Sequence, residues 1–316
     1  MMNVIMTAPR LAPEAVAVIE AAGGRLHYMR SYPSAGEVAA LAAELNPVAI
    51  LSRQGPVLAA AMDAAPALRI VARHGVGVED VDIPAAAARG ILVARAPGSN
   101  TRAVAEHTLA MILALAKNLV PLSRHVAGGG WREAGAKGRD VSGMRLGLIG
   151  CGAIGQAVAA LAGAFGMEVF GYDRGGTERP GITRVESLAA LWPVADVLSL
   201  HVPYSAATRH MVDAVALDAL PPGAFVVNTA RGGLIDEAAL LLALENGHVA
   251  GAALDVFQTE PPEPGDALRG HARVIATPHV AGVTDGSLVT MGVMAAECIA
   301  AVLLGQPVPA ERVVSA

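Results

Sequence analysis

Residues 144–173, MRLGLIGCGAIGQAVAALAGAFGMEVFGYD, decide the fold of this chain. A short apolar run (Leu146, Leu148, Ile149) leads into Gly150-Cys151-Gly152-Ala153-Ile154-Gly155, and an alanine-rich helical pattern follows. A second apolar run, Val169-Phe170, closes on Asp173. The three glycines have separate tasks: a tight strand-to-helix turn, room for a pyrophosphate against bare backbone, and close packing of helix on strand. The helix start offers unpaired N–H groups and a positive dipole end to the phosphates. Asp173 lies eighteen residues past Gly155, at the end of the second strand, where a carboxylate accepts hydrogen bonds from an adenosine ribose. The stretch reads as a dinucleotide site formed by Gly150, Gly152, Ala153, Ile154, Gly155 and Asp173. A carboxylate there would repel the extra phosphate of NADP, so the cofactor expected is NAD. Arg174, next door, reads as a solvated cation at a strand end.

Around this stretch, 316 residues leave room for two domains with separate cores. Hydrophobic residues make up 53% and charged residues 16%, which describes a well-buried globular chain without a disordered tail. Aromatics are only 3%, so Ala, Val, Leu and Ile must fill the core. A net charge of −5 offers no basic surface and argues against nucleic acid as a partner. Cys151 and Cys298 suggest neither a disulfide framework nor a metal site. The first residues, MMNVIMTAPRLAPEAV, lack the basic-then-apolar layout of a signal peptide. The longest apolar stretch with helical character is read at Thr108–Leu115, interrupted by Lys117 and Asn118, well short of the ~20 residues of a membrane span. The expectation is a soluble cytoplasmic protein with no membrane partner.

Short apolar runs alternate with helical stretches through the first hundred residues: strands at Val4–Met6, Ala49–Ser52, Leu68–Ala72 and Ile91–Ala94, and a helix at Pro13–Ala22. From Ser99-Asn100-Thr101 one long helix is expected to run to about Val126 and end at Gly128-Gly129-Gly130. A second alternation places strands near 145–150, 167–172, 196–200, 224–228, 250–254 and 273–276, and a last helix at Gly286–Leu304. The fold class expected is α/β: two Rossmann-like domains, each a parallel sheet with helices on both faces. The NAD domain, residues 99–284, would be inserted into a substrate domain of residues 1–98 and 285–316.

Hydride chemistry needs a group that fixes the substrate, an acid–base, and something that tunes the acid–base. Three loops, each after a predicted strand, supply candidates: Asn228-Thr229-Ala230-Arg231-Gly232-Gly233, Asp255-Val256-Phe257-Gln258-Thr259-Glu260 and Thr277-Pro278-His279-Val280-Ala281-Gly282. Ligands of open parallel sheets gather at the carboxyl ends of the strands. A guanidinium such as Arg231 can hold a carboxylate by paired hydrogen bonds and polarise a carbonyl. An imidazole such as His279 titrates near neutrality, and a carboxylate such as Glu260 would fix its tautomer and favour its protonated form.

These segments, with Arg73–Asp82 (RHGVGVEDVD), Asn100–Leu115 (NTRAVAEHTLAMILAL) and Leu200–Pro203 (LHVP), resemble the D-isomer-specific 2-hydroxyacid dehydrogenases over roughly residues 48–304. That family includes D-3-phosphoglycerate dehydrogenases and hydroxypyruvate/glyoxylate reductases. The resemblance implies NAD-dependent, reversible hydride transfer between a 2-hydroxy acid and its 2-oxo acid. It makes Arg231 the catalytic arginine, Glu260 the acid partner and His279 the proton donor. It puts His201, Val202 and Pro203 in the cofactor cleft and Thr229, Ala230, Arg231, Asp255 and His279 at the nicotinamide end. Val76-Gly77 would bind the substrate carboxylate, with Arg231 and His279, and Arg53 (or Arg73 or Arg102) could meet a substrate phosphate. Glu260, where formate dehydrogenases carry glutamine, argues against formate; Val76, where phosphite dehydrogenases carry lysine, argues against phosphite. The resemblance also embraces NAD-sensing corepressors, from which the compact length separates this chain. It implies a homodimer built on the 101–128 helix, and no regulatory extension is expected after the closing helix.

Overall fold

The computed structural model describes residues 1–132, 136–176 and 178–314. They divide into two compact units: Met1–Asn100 together with the chain from Val283 onward, and Thr101–Gly282. In the first unit the elements are β1 (Met2–Met6), α1 (Pro13–Ala21), β2 (Gly24–Tyr28), α2 (Ala35–Leu45), β3 (Ala49–Ser52), α3 (Ala59–Asp63), β4 (Ile70–Arg73), α4 (Ile83–Ala88) and β5 (Leu92–Ala94). Its sheet has the order β2-β1-β3-β4-β5 with every pairing parallel. The central strand β3, AILS, is buried throughout, as a parallel strand covered on both faces requires. Edge strand β2, GRLHY, has no such apolar run, and the apolar pattern of the sequence passes over it and over α2. Helix α2 starts on a capping box, Ser34 accepting from the Glu37 N–H while the Glu37 carboxylate accepts from the Ser34 N–H.

In the second unit follow α5 (Thr101–Ala116), α6 (Leu119–Ala127), β6 (Arg145–Ile149), α7 (Ala153–Ala164), β7 (Glu168–Tyr172), β8 (Thr183–Arg184), α8 (Leu188–Leu191), β9 (Val197–Leu200), α9 (Ala214–Asp218), β10 (Ala224–Asn228), α10 (Glu237–Glu245), β11 (Val249–Leu254), α11 (Ala267–Gly270) and β12 (Val274–Ala276). The sheet order is β12-β11-β10-β9-β6-β7-β8, again parallel throughout. Strand β6 therefore pairs with β7 on one side and β9 on the other. This reversal of strand order is where an open α/β sheet leaves a ligand crevice. Leu146 and Leu148 of β6 pack with Val158 and Ala162 of α7 and with Met111 and Ile112 of α5.

One expected helix proves to be two. Helices α5 and α6 meet at 64°, and Asn118 between them takes φ 54, a left-handed conformation that asparagine tolerates better than most residues. The chain returns to the first unit as α12 (Asp285–Leu303), close to the helix read from its sequence. This corrects the expected length of apolar helix. With 19 residues and mean hydropathy 1.8, α12 is long and apolar enough to cross a membrane by length and composition. In the first unit its Ala295, Ala296, Ile299 and Val302 are buried among Val4, Met6, Ile19 and Leu51.

Candidate active site

The glycine turn follows β6 directly. Gly150 has φ 96, and a Cβ on it would lie 2.5 Å from the His201 carbonyl oxygen, so only glycine fits there. A Cβ on Gly155 would come within 2.2 Å of the Gly150 oxygen, the close helix-on-strand approach expected of the third glycine. A Cβ on Gly152 would meet nothing within 4 Å, which leaves the turn open on that side. Helix α7 starts at Ala153 with no side-chain cap, so its first N–H groups remain available to an anion. Asp173, just past β7, accepts from the Cys151 N–H at 3.2 Å and the Gly175 N–H at 2.8 Å, which fixes its carboxylate at the rim of the turn. After β9, the His201 N–H donates to the Ile149 carbonyl at 2.7 Å, and its Nε2 lies 3.0 Å from Ser199 Oγ. Burial holds the His201 imidazole down at about 4, and so neutral. Val202 lines the same turn, its Cγ1 being 2.7 Å from the position of a Gly150 Cβ, and Pro203 offers its carbonyl to Thr208. An open glycine turn, an uncapped helix start and a tethered carboxylate are the features a dinucleotide needs.

Strands β10, β11 and β12 are neighbours, so the three candidate loops leave one edge of the sheet together. In the first loop Asn228 accepts from the Ala230 N–H and donates to the Arg231 carbonyl at 2.9 Å, bending the chain so that Arg231 follows the strand by three residues. The Thr229 hydroxyl, buried, meets Thr108 Oγ1 of α5 at 2.9 Å. In the second, Glu260 accepts from the Phe257 N–H at 3.0 Å through one oxygen and from His279 Nδ1 at 2.7 Å through the other. Burial pushes the Glu260 carboxyl up, but these hydrogen bonds outweigh it and leave its pKa below the ordinary value. The same bond raises His279 above its usual pKa, against burial and the opposing charge of Arg231. Arg231 thus lies close enough to act electrostatically on both. Asp255, 1% exposed, faces inward: its carboxylate accepts from Thr277 Oγ1 and from the N–H groups of Val280 and Ala281. Among the described residues, no group of three or more His, Cys, Asp or Glu side chains is placed to hold a metal ion.

In the first unit the loop after β4 holds Val76 and Gly77. Arg73 Nε donates to the Gly77 carbonyl at 2.9 Å and its terminal nitrogen to the Arg53 carbonyl at 2.7 Å, with Asp80 at 3.1 Å. Arg73 is thereby committed to shaping this loop, and Arg102 pairs with Glu106 one helical turn away. Neither is a spare cation for a phosphate. The Arg53 backbone N–H is anchored to Thr7 Oγ1 at 2.8 Å, and no hydrogen bond or ion pair engages its guanidinium among the described residues. The sequence reading gave no role to Thr277 or to His107, whose Nε2 lies 3.2 Å from Thr277 Oγ1. The available signal was an imidazole on the predominantly apolar pattern of Asn100–Leu115.

The family model for the D-isomer specific 2-hydroxyacid dehydrogenase NAD-binding domain matches residues 109–281. The chain belongs to the D-isomer-specific 2-hydroxyacid dehydrogenase family, and its second unit is the NAD-binding domain. It is similar to the D-3-phosphoglycerate dehydrogenase of Mycobacterium tuberculosis, 38% identical over 311 residues, which is 97% of this chain and 58% of that one. It is also similar to the (S)-sulfolactate dehydrogenase of Chromohalobacter salexigens, 41% identical over 226 residues, 70% of this chain and 73% of that one. Among solved structures, the TT0316 protein of Thermus thermophilus shares 35% identity with a TM-score of 0.90, over 99% of this chain and 100% of that one. The chain spans 58% of the length of the phosphoglycerate dehydrogenase it matches.

Proposed function

We propose that this protein is an NAD-dependent dehydrogenase that interconverts a small D-2-hydroxy acid and its 2-oxo acid. The observation that carries the reading is the 2.7 Å bond between His279 Nδ1 and Glu260, within the field of Arg231, in the same unit as the NAD-binding turn. Gly150, Gly152, Ala153, Ile154 and Gly155 would hold the pyrophosphate and Asp173 the ribose; bound NADH supplies the hydride for C2. Glu260 accepts the hydrogen bond of the protonated His279 Nδ1, which stays on the ring and leaves the Nε2 proton to be given to the substrate's carbonyl oxygen. Arg231 grips the carboxylate and polarises the carbonyl. His201, neutral by burial, packs the turn rather than exchanging protons.

The substrate is a small 2-hydroxy or 2-oxo acid of the 3-phosphoglycerate or hydroxypyruvate/glyoxylate type. Two relatives are named for compounds with a second anionic group, phosphate or sulfonate, and Arg53 has its guanidinium to spare for one. A homodimer is supported by α6, which buries none of its residues and leaves Leu119 and Val126 exposed. A cytoplasmic location suits the NAD chemistry and two free cysteines. Comparing kcat/KM for hydroxypyruvate and 3-phosphohydroxypyruvate tests the substrate reading. Equal values for the two, or a loss with phosphate, would remove Arg53 as a phosphate ligand.

A further inference from the structure

Helix α5 carries two adjacent residues that reach different loops of the site. Thr108 donates its proton to the Val104 carbonyl at 2.8 Å, so Thr229 must be the donor in the Thr229–Thr108 contact. His107, one residue earlier, places Nε2 3.2 Å from Thr277 Oγ1 and 3.8 Å from Asp255 Oδ1. The hydroxyl of Thr277 has one proton, and it goes to Asp255 Oδ1 at 2.5 Å, because a carboxylate can only accept. The Thr277 oxygen is then the acceptor for His107, which fixes the proton of that ring on Nε2. Asp255 also takes the Val280 N–H at 2.9 Å and the Ala281 N–H at 2.8 Å, while its backbone carbonyl takes the His279 N–H at 2.8 Å. His279 itself has φ 53, a left-handed conformation that a non-glycine residue keeps only where its surroundings impose it. The His279 N–H also meets the Thr277 carbonyl at 3.1 Å, so the bonds around His279 close on Asp255 and Thr277, and His107 is the outermost donor to that pair.

We infer that His107 is a positioning residue for His279, acting through Thr277 and Asp255 on the loop that aims the imidazole at Glu260. The inference deepens the proposed function and rests on its reading of His279 as proton donor. Loosening the loop would lengthen the His279–Glu260 bond, so the pKa of His279, set among Glu260, Arg231 and Asp255, should fall toward the ordinary value.

The test compares His107→Ala, His107→Gln and Thr277→Val in the full chain. His107→Ala should lower kcat for 2-oxo acid reduction roughly tenfold, as modest misplacement of a reacting group does, with KM for NADH unchanged. His107→Gln keeps an N–H near the Nε2 position and should recover most of the loss. An NMR titration of the His279 ring, which needs no substrate, should show its pKa lowered in His107→Ala and recovered in His107→Gln. Thr277→Val should lower it too, and adding His107→Ala should lower it no further. If His107→Ala does not fold, Thr277→Val carries the test alone. A His279 pKa unmoved by these variants, a glutamine no better than alanine, or additive losses would overturn the inference. A parent enzyme that reduces no 2-oxo acid would overturn the functional reading, while the titration would still decide whether the tether holds the ring.

Discussion

His279 and Glu260 share one hydrogen bond that shifts both groups in opposite directions, the imidazole up and the carboxyl down. That pattern is the mark of a pair whose charged forms stabilise each other. With His279 as the proposed proton donor, kcat/KM for reduction should fall as pH rises through the His279 pKa. Glu260→Gln removes the negative charge and leaves only a neutral amide oxygen as acceptor, so it lowers that pKa and should move the falling limb to lower pH. His279→Ala should lower kcat by roughly 10²–10⁴ with little effect on NADH affinity. Profiles of kcat/KM against pH check both variants. A limb that stays in place or moves upward in Glu260→Gln would remove Glu260 from the acid–base pair.

At the scale of elements, the β6–turn–α7 unit was the most legible part of the chain, because three glycines at fixed spacing each answer a separate steric demand. Gly152→Ala and Gly155→Ala should separate those demands. The first adds a Cβ where nothing lies within 4 Å and should weaken NADH binding while leaving Tm unchanged. The second drives a Cβ against the Gly150 carbonyl oxygen and should lower stability by about 1–3 kcal/mol as well. Thermal unfolding and NADH titration of the two variants read this out; equal Tm losses would contradict it. Other elements were hidden for physical reasons. Lys117 and Asn118 interrupt the apolar run, but both are ordinary on a helix surface, so the interruption does not by itself mark a bend between α5 and α6. Strand β2 lies at a sheet edge, where Arg25 and His27 replace the apolar run that betrays a central strand. The order of the loops ending in Arg231, Glu260 and His279 was readable. The bonds that set them were not: Thr277 is 170 residues from His107, and one imidazole in an apolar helix looks the same bonded or solvated.

At the scale of the whole molecule there are two units, the NAD-binding one and an α/β unit whose glycine loop is shaped by Arg73. Trp131 is 78% exposed just beyond α6, a helix with no buried residue. Light scattering at micromolar concentration should therefore give the mass of a dimer, and replacing Leu119 and Val126 by Ser should shift it toward monomer. A monomeric parent would refute the assembly without touching the chemistry. Stereospecific dehydrogenation is measured by following NADH formation from NAD with the separate enantiomers of a 2-hydroxy acid, glycerate and lactate among them. NADH should form from the D form, not above background from the L form, and the D activity should be lost in His279→Ala. Equal use of both enantiomers, or full activity in His279→Ala, would contradict the proposed function.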